Sequence, residues 1–135
     1  EVIIWQLNPV DLRQRWRISS NVANPMSALA FSPNAAVLAI GGSDELVKLY
    51  RVGDGWQLSN IPSGRACSMQ FSPSGRLLAI GTCAGDLVLA DPETGEMIHQ
   101  IEAHNGAVDA LQFLPEGDGL LTVGADGIVL LWGVE

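Results

Sequence analysis

The chain has 135 residues, 47% of them hydrophobic and 16% charged, the make-up of a globular domain and not of a disordered tail. Its formal net charge of −8 gains nothing from the phosphate attraction behind nucleic-acid affinity, and it would be repelled by an anionic membrane surface. No apolar run of membrane-spanning length occurs, so neither nucleic acid nor membrane is an expected partner.

In chain order, the first elements are two short runs, EVIIWQL (1–7) and LRQRWRI (12–18). Three longer segments follow that line up with one another: PMSALAFSPNAAVLAIGGSDELVKLY (25–50), RACSMQFSPSGRLLAIGTCAGDLVLA (65–90) and AVDALQFLPEGDGLLTVGADGIVLLW (107–132). Their anchors are Phe31, Phe71 and Phe113, spaced 40 and then 42 residues apart. Two residues after each anchor stands a turn-forming proline, Pro33, Pro73 or Pro115. Then comes a second apolar run (VLAIGG, LLAIGT, LLTVGA), another turn, and a third run (LVKLYRV, DLVLA, IVLLWGV). Between segments lies a fourth and more polar run: LRQRWRI, WQLSNI (56–61) and EMIHQIE (96–102). These runs are short, rich in Val, Ile and Leu, and bounded by Gly, Asp, Ser and Pro, which predicts strands and no clear helix. Asp126-Gly127 predicts a two-residue hairpin, with Asp44-Glu45 and Ala84-Gly85 in the same place.

Units of four strands, the last polar enough for an outer edge, repeat here at the period of propeller blades. In the third unit His104 precedes Phe113 by nine residues, Thr122 sits on the second strand, Asp126 opens the tight turn, and Trp132 follows on the third strand. Over essentially the whole chain this pattern resembles the WD-repeat family of β-propellers. The resemblance implies that His104, Thr122, Asp126 and Trp132 form the family's hydrogen-bonded structural tetrad. A loop histidine, a strand hydroxyl, a turn carboxylate and an indole N–H can satisfy one another. His104 is therefore expected to hold the fold together, not to bind metal or do chemistry. The other units depart from the pattern: Val22 and Pro62 replace the histidine, Ile40 and Ile80 the threonine, Ala84 the second blade's aspartate, and Trp5, Tyr50 and Ala90 stand at the Trp position. The two full blades are therefore expected to rely on apolar packing and to be less rigid.

The resulting expectation is an all-β propeller of about three and a quarter repeats. Residues 1–18 supply the last two strands of a preceding blade, 25–61 the first full blade, 65–102 the second, and 104–135 a final blade lacking its outer strand. All belong to one propeller domain, expected to be the C-terminal part of a longer one. To close the ring it would need the remaining blades of a longer chain or further copies of itself.

Nothing in the sequence calls for catalysis. The phosphate-binding loop G-x-x-x-x-G-K-[ST], G-x-S-x-G and H-E-x-x-H are all missing. No cofactor and no metal are expected: two His and two Cys stand at spacings unsuited to zinc. The acidic residues Glu116 and Asp118 are as well explained by turn propensity as by a cation. His99 reads as a solvated residue of an outer strand. The function expected is a non-catalytic protein-interaction scaffold or sensor module. The alternatives are a small-ligand or enzymatic propeller with a site at the central channel, and a self-assembling homo-oligomer.

The resemblance also implies a partner-binding face, made by the loops into each first strand and the turns between second and third strands. Here it comprises Pro25, Ser27 and Ser43, then Arg65, Cys67 and Cys83, then Ala107, Asp109 and Ala125. The two cysteines, Cys67 and Cys83, are too few for a disulfide-built secreted scaffold, so a reduced, cytoplasmic setting is expected. Folding 66–72 against 77–83 brings their sulfurs near one another, and a bond is geometrically conceivable. Cytosolic chemistry favours two free thiols.

Overall fold

The computed structural model describes residues 1–7, 12–18 and 25–133. Among these residues the structure consists of strands and turns, with no helix. β1 (Val2–Leu7) and β2 (Leu12–Ile18) form a two-stranded sheet. The first four-stranded sheet contains β3 (Met26–Phe31), β4 (Val37–Gly42), β5 (Val47–Arg51) and β6 (Gln57–Ile61) in sequence order. β7 (Ala66–Phe71), β8 (Leu78–Thr82), β9 (Asp86–Asp91) and β10 (Glu96–Glu102) repeat that order. β11 (Val108–Phe113), β12 (Gly119–Gly124) and β13 (Val129–Gly133) form the last sheet. Every pairing is antiparallel between chain neighbours, as short connections favour. These are meander blades of a β-propeller.

Strand alternation assigns each blade two apolar faces. In the second blade Leu78, Ile80, Val88 and Ala90 point at the first blade and pack with Ala39, Val47, Leu49 and Ile61. Its other face, Ala79, Leu87 and Leu89, packs against Phe113 and Leu120 of the third. A blade buried on both sides thus reads as a continuous apolar run and not as an alternation. Close packing also explains why position 81 is glycine: a Cβ there would press on the Ser68 hydroxyl of its own blade and on the Val108 side chain of the third. The two-stranded sheet covers the near side of the first blade, where Ile4 packs with Leu38, Ile40 and Tyr50, and Trp16 lies against the same group. Trp5 points the other way and is half exposed.

The anchoring phenylalanines have unequal fates. Phe71 and Phe113 are each 5% exposed, because the preceding blade closes over them, whereas Phe31 is 47% exposed. Among the described residues ahead of Phe31 the strands are β1 and β2, which pack against Leu38, Ile40 and Tyr50. At the opposite end of the row Val129 and Leu131 are also exposed.

The turn between second and third strands differs in detail from the two-residue hairpin expected at Asp126-Gly127. The connection there has three residues, 125–127: Gly127 N–H donates to Gly124 C=O, Gly124 N–H donates to Ile128 C=O, and only Gly127 has positive φ (81°). This is a turn closed by a left-handed residue, the next commonest hairpin solution. Glu45 (φ 66°) and Gly85 (φ 104°) hold the same place in the other blades. In the turn after each anchor, the left-handed residue is Ala35 (φ 58°), Gly75 (φ 75°) or Gly117 (φ 76°).

The expectation of two free thiols is overturned: Cys67 and Cys83 are joined by a disulfide, with their Cα atoms 5.1 Å apart. The cause is a β-bulge. The ladder between β7 and β8 shifts register between Ala66 and Ser68, leaving Cys67 as the extra residue. The extra residue sits beside the turn that carries Cys83, whose N–H donates to Arg65 C=O.

Candidate functional site

The structure brings His104, Thr122, Asp126 and Trp132 together in a chain that runs from the turn into the face of the last blade. His104 sits in the connection before β11, Thr122 in the middle of β12, Asp126 in the turn and Trp132 on β13. Leu120 and Trp132 are cross-strand partners, which places Thr122 and Trp132 on the same face, toward the second blade. His104 Nδ1 lies 3.1 and 3.2 Å from the two Asp126 carboxylate oxygens, and its Nε2 lies 2.9 Å from Thr122 Oγ1. Trp132 Nε1–H donates to that same oxygen at 3.0 Å.

The carboxylate can only accept, so His104 Nδ1–H donates to it, and Nε2 on the other side of the ring shares a hydrogen bond with the Thr122 hydroxyl. The hydroxyl oxygen in turn accepts from the indole. Asp126 also receives the N–H groups of Asn105 (3.0 Å) and Ile128 (3.1 Å). Partial burial pushes the Asp126 carboxyl pKa upward; the hydrogen bonds from Ile128, Asn105 and His104 more than offset this, and the net shift is downward. The His104 side chain is fully shielded from solvent and that of Asp126 is 11% exposed. A relay in which every member is paired, with its imidazole shielded from solvent, is built to hold a shape.

The other blades solve the same place differently. Ile40 and Ile80 are buried in apolar clusters, so no hydroxyl is orphaned. Val22, the counterpart of His104 in the first blade, lies outside the described residues. Asp44 accepts from Leu46 N–H and pairs with Lys48 at 3.1 Å. His99 lies on exposed β10. Among the described residues no three His, Cys, Asp or Glu side chains assemble as a metal site.

The nine rim residues recur as three equivalent triplets at one end of the blades. The same hydrogen bond locks each: Ser43 N–H to Pro25 C=O, Cys83 N–H to Arg65 C=O, and Ala125 N–H to Ala107 C=O. Every inner strand also carries its bulge at the same point, making Ser27, Cys67 and Asp109 the extra residues. Pro25, Ser27, Arg65, Asp109 and Ala125 are exposed; Ser43, Cys67, Cys83 and Ala107 are half-buried. A cleft of about 470 Å³ opens between the first two blades, with Arg65, Cys83, Asp86 and Gln100 in its lining.

Sequence reading missed the bonds that tie blade to blade. Ser27 Oγ–H donates to Ala66 C=O at 2.6 Å, Ser68 Oγ–H to Val108 C=O at 2.9 Å, and Phe113 N–H to Gln70 Oε1 at 2.6 Å. Ser27 and Ser68 stand at different offsets from their anchors, so no periodic signal could have revealed them.

Fold and tetrad together define a β-propeller whose blades follow the WD pattern. Two family models match: "WD domain, G-beta repeat" over residues 16–51 and "Anaphase-promoting complex subunit 4 WD40 domain" over residues 56–116. Together they span well over half of the sequence, and the chain belongs to the WD-repeat family. It is 30% identical over 110 residues to mouse telomerase protein component 1, covering 79% of this chain and 4% of that protein. To mouse WD repeat-containing protein 3 it is 32% identical over 104 residues, covering 77% of this chain and 11% of the relative. The pre-rRNA-processing protein IPI3 of Mycosarcoma maydis is 27% identical over 126 residues, covering 87% and 21%. The chain therefore spans a minor part of each relative. Among solved structures, the WD40 repeats of RRP9 superpose with a TM-score of 0.80 at 21% identity, covering 87% of this chain and 38% of that one.

Proposed function

We propose that this chain is part of a non-catalytic WD-repeat scaffold that binds a protein partner on the rim formed by the three triplets. The observation that carries the reading is the threefold recurrence of one bulge and one turn hydrogen bond, which holds Pro25, Ser27, Ser43, Arg65, Cys67, Cys83, Ala107, Asp109 and Ala125 at one end of the blades. A preformed rim of partly exposed polar groups suits a partner that supplies the aromatic anchors itself. The tetrad is a paired structural relay, which supports the absence of catalysis. The net charge of −8 favours protein over nucleic acid as the partner. A cytoplasmic location draws no support from relatives named as a pre-rRNA-processing protein and a pre-mRNA-processing factor.

The test reverses the two charges of the rim. Arg65→Glu with Asp109→Arg is expected to lose binding of the protein the intact chain captures, while His99→Ala on the outer strand retains it. Full binding by the rim variant overturns the rim as the docking face.

The open apolar faces favour one further element of this reading: additional blades cover Phe31 and Leu29 at one end and Val129 and Leu131 at the other. They come from the same polypeptide or from copies of this chain. Light scattering coupled to size exclusion separates the two. A single discrete multimer of the 135-residue chain means that copies supply the cover. A monomer that aggregates means that other blades do.

A further inference from the structure

We propose that the Cys67–Cys83 disulfide is a reversible redox lock on the rim, which a dithiol reductant opens while the blades stay folded. Three observations lead there. First, the bond joins a bulge residue to a turn residue, both half-buried at the rim and not in a blade core, and Cys83 lines the open cleft between the first two blades, from which a thiolate would approach.

Second, the same local structure forms without such a bond in the other two blades. The strands it links are already laddered from Ala66↔Thr82 to Phe71↔Leu78. The equivalent pairs, Ser27 with Ser43 and Asp109 with Ala125, keep the same bulge and the same turn hydrogen bond without a covalent link. The molecule thus contains two worked examples of the unlinked state.

Third, the locked turn touches the tetrad. Gly85 C=O accepts the N–H groups of both Ala103 and His104 at 3.0 Å, and the fit is so close that a Cβ at Gly85 would collide with the His104 carbonyl. Cys83 and Gly85 share one turn, so freedom gained at Cys83 would reach the backbone that positions His104.

The chemistry balances as thiol–disulfide exchange. One thiolate of the dithiol attacks a cysteine sulfur, forming a mixed disulfide and releasing the other cysteine as thiolate. The reductant's second thiolate then displaces the first cysteine. Two electrons and two protons pass to the protein, and the reductant leaves as its own disulfide. Locked and open forms would present different rims, an extension that rests on the docking role proposed above.

The experiment follows amide hydrogen exchange of the full chain, oxidised and after dithiothreitol, with thiols counted by alkylation and mass spectrometry. On reduction, exchange at Cys83, Gly85, Ala103 and His104 is expected to accelerate about tenfold, while the central β8–β9 ladder stays protected. The Cys67→Ser/Cys83→Ser variant, which copies the first blade, is expected to show the reduced pattern without reductant. Reduction that occurs only together with global unfolding overturns the proposal. So does exchange at those four amides that changes less than twofold, in either the reduced chain or the variant. No partner enters this measurement. If the lock opens as described and rim charge reversal leaves partner capture intact, the docking reading fails and the lock stands.

Discussion

Replacing Thr122 with valine removes one oxygen and almost no volume, so it tests the relay and little else. That oxygen receives Trp132 Nε1–H at 3.0 Å while its hydroxyl faces His104 Nε2 at 2.9 Å. Two hydrogen bonds are lost, each with a net contribution of about 1 kcal/mol. Thr122 is fully buried and the imidazole is shielded, so Nε2 is left facing a methyl group, a penalty of about 1–3 kcal/mol. The indole is only partly buried and regains some solvation. The sum is a destabilisation of about 3–5 kcal/mol, read as a lower urea midpoint with unchanged slope. A control sharpens the test. In the second blade isoleucine occupies this position at no evident cost, because proline and alanine have replaced the partners that would have been orphaned. Combining Thr122→Val with His104→Ala and Trp132→Phe should therefore cost clearly less than the three single losses summed. A Thr122→Val loss below about 0.5 kcal/mol, or strict additivity, would refute the relay as drawn.

Other outcomes follow from the same structure. Ala35→Gly and Glu45→Gly should each stabilise by about 0.5–1 kcal/mol in thermal melts, since both residues hold left-handed φ where the other blades use glycine. Phe71→Ala should cost about 3–5 kcal/mol in urea unfolding of the isolated chain and Phe31→Ala much less, because only the former is enclosed by a preceding blade. Asp126 has a folded-state pKa below its ordinary 3.8, so its contribution is fully present above that value and is lost as pH falls below it. Asp126→Asn should accordingly flatten the acid limb of the stability profile below about pH 4 while lowering stability at neutral pH.

Much of this was legible along the chain because a propeller is built from local contacts. Each strand pairs with its chain neighbour, so the anchors Phe31, Phe71 and Phe113, the prolines after them and the turns mark every unit. The tetrad was legible for a related reason: its residue types occur at fixed offsets from Phe113, and all four lie within a single blade. The nearness of Cys67 and Cys83 was legible from the hairpin, but the bond itself was not, because its geometry is set by a bulge. One extra residue in β7 decides whether Cys67 reaches the turn of Cys83, and no side chain announces that shift.

The sequence by itself determined the strands, their order and the blade to which each belongs, since apolar spacing and turn chemistry act between neighbours. Only the tertiary structure decided what happens between blades. It buried Phe71 and Phe113 but left Phe31 half exposed, although all three stand in the same local pattern. It carried Ser27, Ser68 and Gln70 across to carbonyls and amides about forty residues away. Burial and long-range hydrogen bonds depend on what stands opposite a face, and a repeat pattern read along one chain says only that the face exists.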